Sequence, residues 1–552
     1  MKALFLFSLT ALGVLIAYPM AALVTTAFSH EGSFSLQHFV TALSQPRNIT
    51  ALWNSLWISI LATVGATFLG TALAWIVART DTPSKKWLRM LFLIPFLIPP
   101  FIFAIAIQQL LGPIGYLNRL WVELFGSILF DINSAGGIVI VLALGSYPFA
   151  YLTMLTAFER LPAEMEEAAR VSGATKWQVM RTVTLPMLMP TIGAGAVLAF
   201  VASVSNFGVP AILGFRRGIH VLTTRIYDEV TRGVDPDRLA VAAALSLVLG
   251  LLGGVSIMLQ KLLAGKRKFT LVSGQGGGGG ITTLGPTRWF VASFGWTFVI
   301  LTSILPLLAI LLTSFLPAPG VPPSLDALSL RWYERLLLAS PRIQQAAMNS
   351  FFLAFSAATA TTILGAILGF LVERVKVPGR TFIDWLATLP YSIPGTVVAI
   401  AMILAWLHPI PLLGFSIYNT IWILLVAYVA RYLAFGLRGS LASLQQVGDT
   451  LEEAARVSGA TRWQAVRDVL IPLLRPAMRS SWILVFIPAL QELTLSALLV
   501  GPRSQTLGYA VFNLQDGGLV NLAAALSVVM LTGLAVITLI VGPLRSGQPG
   551  VK

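Results

Sequence analysis

Cysteine is absent from this 552-residue chain, and charged residues make up only 11% of it. Without cysteine there can be no disulfide bond and no thiolate metal site. Soluble globular proteins carry about 25% charged residues, whereas 56% of the residues here are hydrophobic. So few charges cannot cover the surface of a chain this long. Much of that surface must therefore face lipid. The composition excludes an ordinary soluble protein.

Histidine is also scarce, and the four copies are His30, His38, His220 and His408. They lie apart in the sequence, without the spacing typical of metal ligands. We therefore expect solvated or interfacial imidazoles, with no metal site and no cofactor.

Long apolar runs are plentiful, and the run from Ala3 to Ser29 contains no charged residue. About 20 apolar residues suffice to cross a bilayer as a helix. A membrane β-barrel would show shorter, alternating segments, and these runs do not alternate. The sequence predicts an all-α integral membrane protein with about 12 spans, at 3–28, 53–78, 90–111, 136–158, 187–213, 239–263, 289–315, 349–372, 382–407, 417–440, 478–500 and 522–544.

An internal repeat runs through most of the chain. The segment EEAARVSGAT occurs at 166–175 and again at 452–461, and Asn54-Ser55 matches Asn349-Ser350. The repeat predicts two membrane-spanning halves, 1–265 and 289–552, joined by a cytoplasmic glycine-rich linker at 266–288. We expect its glycine run at 274–280 to be a flexible coil. Six spans in each half give both halves the same orientation, as in parallel repeats. Since the first span has a counterpart in the seventh, we expect it to be kept rather than removed as a signal peptide.

The basic residues fix the orientation. Most of the 37 lysines and arginines fall on one side of the predicted spans, with clusters at 79–89 and 261–268. Lysine and arginine collect on the cytoplasmic side of membrane proteins, so we place the N-terminus and both EEAARVSGAT loops there. This placement accounts for the net charge of +15 without a nucleic-acid partner, and leaves membrane lipid as the surrounding partner.

Each repeated cytoplasmic loop reads as a short helix-turn-helix. Glu166 and Arg170 have the spacing and order of a favourable helical ion pair. Gly173 suits the end of that helix, and Thr175 suits the cap of a second one. A compact projection of this kind is suited to insertion into a partner protein.

The loops also contain a motif: Glu-Ala-Ala, a glycine four residues later, and an aliphatic-x-aliphatic-Pro segment. This motif resembles the coupling motif of binding-protein-dependent ABC importer permeases. The matching positions are Glu167, Ala168, Ala169 and Gly173 in the first copy, and Glu453, Ala454, Ala455 and Gly459 in the second. The resemblance implies a multi-pass permease of a bacterial inner membrane whose loops dock onto two copies of an ABC ATPase. It also implies an extracytoplasmic binding protein that delivers the cargo.

A phosphate-binding loop of the form G-x-x-x-x-G-K-[ST] is absent from the sequence. We therefore expect ATP hydrolysis on a separate subunit, with no enzymatic site in this chain.

Four polar residues fall within predicted spans, where such groups are costly and often functional; they are Asn206, Arg431, Gln491 and Glu492. They could line the translocation path or its gate. The alternative is polar pairing between helices or a position near the outer surface.

The cargo is indicated only by resemblance. Fused permeases of this length resemble ferric-iron importer subunits, and the segments 223–227 and 268–274 add to that likeness. Thiamine, aminoethylphosphonate and polyamine systems share the architecture. A secondary transporter also has twelve spans in two halves, but it has no use for duplicated cytoplasmic loops. A channel or receptor is a third class.

Overall fold

The computed structural model describes residues 2–232, 237–265, 280–375, 377–409, 414–447 and 450–541. Helices dominate this part of the chain, and its one β-hairpin pairs β1 (Ser29–His30) with β2 (Ser33–Phe34). The α-helices of the first half are α1 (Lys2–Leu12), α2 (Tyr18–Phe28), α3 (Gln37–Ser44), α4 (Pro46–Arg79), α5 (Lys85–Leu91), α6 (Ile94–Leu97), α7 (Pro100–Leu111), α8 (Tyr116–Phe125), α9 (Ala135–Arg160), α10 (Ala163–Val171), α11 (Lys176–Val179), α12 (Leu185–Val204), α13 (Gly208–Gly214), α14 (Leu222–Arg232) and α15 (Arg238–Gly265).

The second half repeats this order. Its α-helices are α16 (Arg288–Val299), α17 (Leu305–Phe315), α18 (Arg331–Leu337), α19 (Pro341–Phe370), α20 (Arg380–Ser392), α21 (Gly395–Trp406), α22 (Ile421–Gln446), α23 (Thr450–Val457), α24 (Arg462–Ala465), α25 (Ile471–Leu490), α26 (Thr494–Leu499), α27 (Leu507–Asp516) and α28 (Val520–Val541). Shorter π-helical turns occupy Gly13–Ala17, Met180–Thr184, Ile300–Ile304, Leu371–Val375 and Val466–Leu470, and 3₁₀ turns occupy Phe215–Arg217, Gly285–Thr287 and Leu325–Ala327.

Eleven helices in the described residues are long and apolar enough to cross a membrane, and the number rises to 12 if one bent pair counts as a single span. This confirms the all-α membrane class and the predicted number of about 12 spans.

The predicted third and ninth spans are both broken at prolines. In the second half, α20 and α21 meet at an angle of 109°, with the residue before Pro394 in an extended conformation. In the first half, Ile98 is likewise extended before Pro99, between α6 and α7. Proline lacks an N–H and disfavours a helical conformation in the residue before it. The membrane prolines therefore interrupt these spans.

The described chain divides into two compact units that do not coincide with the sequence halves. One unit contains 1–45, 226–250 and 331–552, and the other contains 46–225 and 251–330. The first span of each half thus packs into the unit built mainly from the other half. The half boundaries at 265 and 289 therefore rest on the sequence repeat and stay a prediction.

In the first of these units, the Tyr18 hydroxyl donates to the Ala405 carbonyl over 3.0 Å, which ties α2 to α21. In the second unit, the hydroxyls of Tyr116 and Thr313 lie 2.9 Å apart. Such polar contacts are typical of helix packing in membranes.

Repeat-related glycines bring the second span of each half close to the fourth. A Cβ at Gly70 would lie 2.7 Å from the Tyr147 carbonyl oxygen, and one at Gly365 would lie 2.3 Å from the Gly436 carbonyl carbon. Only a residue without a side chain allows this approach, as at other tight helix crossings in membranes. The crossings hold the second span of each half against the fourth, on the side that leads to the repeated loop.

The structure describes only the last part of the predicted linker. Residues 266–279 lie outside the described residues, and they include the whole segment 268–274 that resembles ferric-iron importer subunits. Beyond them, the Thr282 amide donates to the Arg79 carbonyl over 2.8 Å, and the Leu284 amide donates to Asp81 Oδ1 over 2.8 Å. These hydrogen bonds fix the last part of the linker beside α4, and the expected flexibility of the glycine run stays a prediction.

Candidate functional site

The two repeated loops fold as predicted into helix-turn-helix units. Helix α10 ends at Gly173, which has a φ of +89°, and α23 ends at Gly459, which has a φ of +92°. In the first loop, the Gly173 amide donates to the Arg170 carbonyl over 2.9 Å, and the Ala174 amide to the Ala169 carbonyl over 3.0 Å. These hydrogen bonds end the helix at a residue in the left-handed conformation, where glycine is favoured. The identical turns confirm the predicted helix ends.

A reciprocal cap begins the second helix of each loop. In the first loop, Gln178 Oε1 accepts from the Thr175 amide over 2.7 Å, and Thr175 Oγ1 accepts from the Gln178 amide over 3.3 Å. Thr461 and Gln464 repeat this arrangement with distances of 2.8 and 3.3 Å. This capping box fixes the angle between the two short helices.

Most of the motif residues face outward. Glu167, Ala168 and Gly173 are exposed and Ala169 is half-buried, and the same holds in order for Glu453, Ala454, Gly459 and Ala455. Apolar side chains extend this surface: Val171 and Val457 are each 89% exposed, and Trp177 and Trp463 are exposed as well. Exposed apolar side chains grouped in this way are typical of protein interaction sites.

The predicted Glu166–Arg170 ion pair is wrong. Glu166 instead forms an ion pair with Arg79 at the end of α4, and its Oε1 accepts from the Thr184 hydroxyl over 2.7 Å. Arg170 lies 3.9 Å from Glu167 instead. The Arg79 side chain is only 4% exposed, and a buried cation requires a counter-charge. The need of Arg79 for a counter-charge therefore outweighs the weak surface ion pair that Glu166 would form with Arg170.

The second loop lacks this link, although its ten residues are identical. Arg374 matches Arg79 in the repeat, but its guanidinium donates to the backbone carbonyls of Leu444 and Val447. Leu470 occupies the position of Thr184, and Glu452 forms no ion pair with the side chains that the structure describes. This asymmetry does not follow from the sequence repeat, which aligns the two arginines.

A π-helical turn joins each coupling loop to the following span. The turns Met180–Thr184 and Val466–Leu470 both end one residue before an aliphatic-Pro pair. The Leu185 amide donates to the Met180 carbonyl, five residues back, and Pro186 cannot continue the pattern because it has no N–H. Such turns are common at functional sites.

The polar residues predicted inside the fifth and eleventh spans lie at breaks between helices. Asn206 lies between α12 and α13, and its Oδ1 accepts from the Val209 amide over 2.9 Å. Glu492 lies between α25 and α26, and its Oε1 accepts from the Leu495 amide over 3.1 Å. The two side chains therefore cap equivalent short helices, and Gln491 is the half-buried residue that ends α25.

Both charged residues at this depth have partners. The Tyr432 hydroxyl donates to Glu492 Oε2 over 2.5 Å. Arg431 donates to the carbonyls of Ile393 and Pro390 over 3.2 and 3.4 Å, where the proline break in the ninth span leaves carbonyls without helical donors. Polar backbone groups in a membrane need such partners.

Two of the four histidines lie close together in the fold. The rings of His30 and His38 have centroids 5.3 Å apart, and both lie near Asp237. The β1–β2 hairpin and α3 bring the two rings together. The spacing of residues in the sequence does not reveal ligands that meet only in the folded chain.

Comparison with known proteins identifies the family. Residues 66–269 and 361–544 each match the family described as binding-protein-dependent transport system inner membrane component. The chain is 26% identical over 518 residues to an Fe(3+)-transport system permease protein of Haemophilus influenzae, covering 92% of each chain. It is 25% identical over 550 residues to a ferric transport system permease protein of Actinobacillus pleuropneumoniae, covering 97% of this chain and 78% of the relative.

A shorter relative matches part of the chain more closely. The molybdenum transport system permease protein of Mycobacterium bovis is 32% identical over 223 residues, which cover 40% of this chain and 81% of the relative. Together with the duplicated membrane fold, these matches leave one conclusion. The chain belongs to the family of binding-protein-dependent transport system inner membrane components, and it is a multi-pass ABC importer permease in which the family unit occurs twice.

Proposed function

We propose that this permease imports ferric iron, using ATP hydrolysed by two copies of a separate ABC ATPase that bind its two cytoplasmic loops. An extracytoplasmic binding protein would deliver the cargo. The observation that carries the ATPase part is the pair of matching helix-turn-helix units with exposed valine and tryptophan side chains. Two nearly identical surfaces favour two copies of one partner.

The first loop is tied to two spans, through which it can transmit force. The ion pair from Glu166 to Arg79 and the hydrogen bond from Thr184 connect the first coupling helix to both the second and the fifth span. A displacement of the loop would therefore move two spans at once. The ATPase can drive transport in this way only if its nucleotide states favour different loop positions.

The translocation path, in this proposal, runs beside the broken helices. Discontinuous helices mark substrate sites in many transporters, because their freed backbone groups face a cavity. Asn206, Arg431, Gln491 and Glu492 all lie at such breaks or hydrogen-bond to them. Their hydrogen bonds also fit the alternative of polar pairing, so their part in transport needs the test argued in the Discussion.

The proposal of ferric cargo is supported by relatives that match nearly the whole chain and are named for ferric transport. The relative named for molybdenum covers only 40% of this chain. Thiamine, aminoethylphosphonate and polyamine cargoes are the remaining alternatives within the same architecture.

Substitution of exposed valines tests the ATPase interface. The double variant Val171→Asp plus Val457→Asp should fold normally, since both side chains are 89% exposed, and should no longer co-purify with the ATPase. The matched control is Leu325→Asp, because Leu325 is 88% exposed but lies in a loop on the opposite side of the predicted membrane. Co-purification that survives in the double variant would contradict the proposed docking surface.

Uptake in cells tests the cargo. A strain that lacks the transporter should regain uptake of radiolabelled ferric iron when the complete system is restored, and labelled molybdate and thiamine should not enter. Uptake should also stop when the ATPase carries an inactive phosphate-binding loop. Uptake that persists there would favour an ion-coupled secondary transporter.

A further inference from the structure

We propose that His30, His38 and Asp237 form a binding site for a divalent transition-metal ion on the extracytoplasmic face of the permease. Each residue offers one ligand atom, and these atoms all lie within 4.8 Å of one another. Ligands around one such ion lie about 3–3.5 Å apart, given metal–ligand distances of about 2.0–2.2 Å. Small side-chain rotations therefore suffice to close the site.

The site is built by three separate elements of one compact unit. His30 ends β1, and a two-residue turn at Glu31-Gly32 leads into β2. Both turn residues have positive φ, +50° for Glu31 and +77° for Gly32, as a tight hairpin turn requires. For glutamate this conformation is strained, and strain of this kind is typical of functional sites.

His38 lies in the first turn of α3 and is only 5% exposed. Its Nε2 lies 3.0 Å from the Ser29 carbonyl oxygen. A carbonyl can only accept, so the proton of the neutral ring must be on Nε2, and Nδ1 keeps its lone pair. Metal-binding histidines usually donate their second N–H to a carbonyl or carboxylate in this way. This hydrogen bond leaves Nδ1 as the ring nitrogen that can bind a metal ion.

Asp237 directly precedes α15 and belongs to the same compact unit as the two histidines. With the N-terminus in the cytoplasm, the first span ends outside, and α15 begins there. The cavity at this site is also lined by Glu31 and by the hydroxyl side chains of Thr25 and Thr26. Glu31 could supply a further oxygen ligand.

The donor set selects the type of ion. Two imidazoles and one carboxylate suit Zn²⁺, Fe²⁺, Co²⁺ and similar ions. Ca²⁺ and Mg²⁺ prefer all-oxygen sites. This inference therefore does not depend on ferric cargo. A bound ion would join the loop after the first span to the start of the sixth, and so would stabilise the outer end of this unit.

Cobalt binding to the full-length chain in lipid nanodiscs tests the site. The protein should carry a purification tag without histidine and be stripped with a chelator before titration with Co²⁺, whose visible absorption reports nitrogen and oxygen ligands. We expect one Co²⁺ per chain, displaced by Zn²⁺ but not by Mg²⁺. Added Zn²⁺ should also raise the unfolding temperature, because binding stabilises the folded state.

The variants His30→Asn, His38→Gln and Asp237→Asn should each weaken Co²⁺ binding by at least about tenfold, since even outer-shell changes at metal sites cost that much. His408→Gln is the control, because His408 is exposed and lies outside the cluster. Gln at position 38 can still donate to Ser29; should that variant unfold, the two more exposed positions decide the result. Equal binding by the triple variant and the wild type, or equal loss in the His408 variant, would overturn the proposal.

Discussion

Arg79 at the end of the second span forms an ion pair with Glu166 in the first coupling helix, whereas the equivalent Arg374 donates to backbone carbonyls. Two loops of identical sequence are thus held to the membrane helices in different ways. The cause lies outside the loops, in the exchange of Thr184 for Leu470 and in the surroundings of the two arginines. An asymmetric permease could respond differently to its two ATPase subunits.

Glu166→Gln should loosen the first coupling helix more than Glu452→Gln loosens the second. Loss of the carboxylate leaves Arg79 buried without its counter-charge, which costs at least about 1–3 kcal/mol. Hydrogen–deuterium exchange of residues 163–171 should therefore speed up by about tenfold or more, since 1.4 kcal/mol corresponds to a factor of ten. Residues 450–457 should change little in the matched Glu452 variant. Equal acceleration in both loops would contradict the asymmetry.

Gly173 and Gly459 should tolerate asparagine better than valine. Both adopt φ near +90°, and the position that a Cβ would take at either residue is open space, so the cost of substitution comes from the backbone alone. A left-handed conformation costs about 1–2 kcal/mol for an ordinary residue, and asparagine adopts it more readily. We expect ATPase co-purification to fall in the order glycine, asparagine, alanine, valine.

Gly126→Val is the control for that series. Gly126 also ends a helix, with φ of +74° and nothing within 4 Å of its Cβ position, but it follows α8 on the other side of the predicted membrane. The same backbone strain there should leave ATPase binding unchanged. If Gly126→Val reduced binding as much, the effect would reflect general destabilisation.

Arg431→Met should destabilise the permease more than Arg438→Gln, although both residues lie on α22. Arg431 donates to two carbonyls at the break in the ninth span. Removing this charged donor leaves the carbonyls unpaired and lowers the free energy of unfolding by about 1–3 kcal/mol. Arg438 forms an exposed pair with Asp384, which contributes about 0–1 kcal/mol. Thermal unfolding in detergent measures the difference, and the reverse order would exclude this role for Arg431.

The helix-turn-helix loops, the number of spans and the duplication could all be predicted, because they depend on local signals. The turn at Gly173, the cap at Thr175 and each apolar span depend only on residues that are close in the sequence. The partners of Glu166 and the approach of Asp237 to His30 and His38 could not be predicted, because distant segments supply them. The breaks before Pro99 and Pro394 follow from a local signal as well, since proline disfavours a helical conformation in the residue before it.

Glu492 and Asn206 offer a way to separate capping from transport. Asn206→Ala removes one helix cap and should cost about 1 kcal/mol. Glu492→Ala removes a cap and also the acceptor of the Tyr432 hydroxyl, so it should cost more, by about 1–3 kcal/mol. Glu492→Gln keeps an oxygen for the Leu495 amide and should unfold near the wild-type temperature.

Glu492→Gln should nevertheless lower ferric uptake if the carboxylate faces the translocation path as proposed. Tyr432→Phe is the matched control, because it removes the same 2.5 Å hydrogen bond and leaves the carboxylate in place. Reduced uptake in the glutamine variant alone, at normal expression and stability, assigns the effect to the charge. Equal uptake in both variants and the wild type would instead limit Glu492 to capping α26, and the path would have to be sought along other residues.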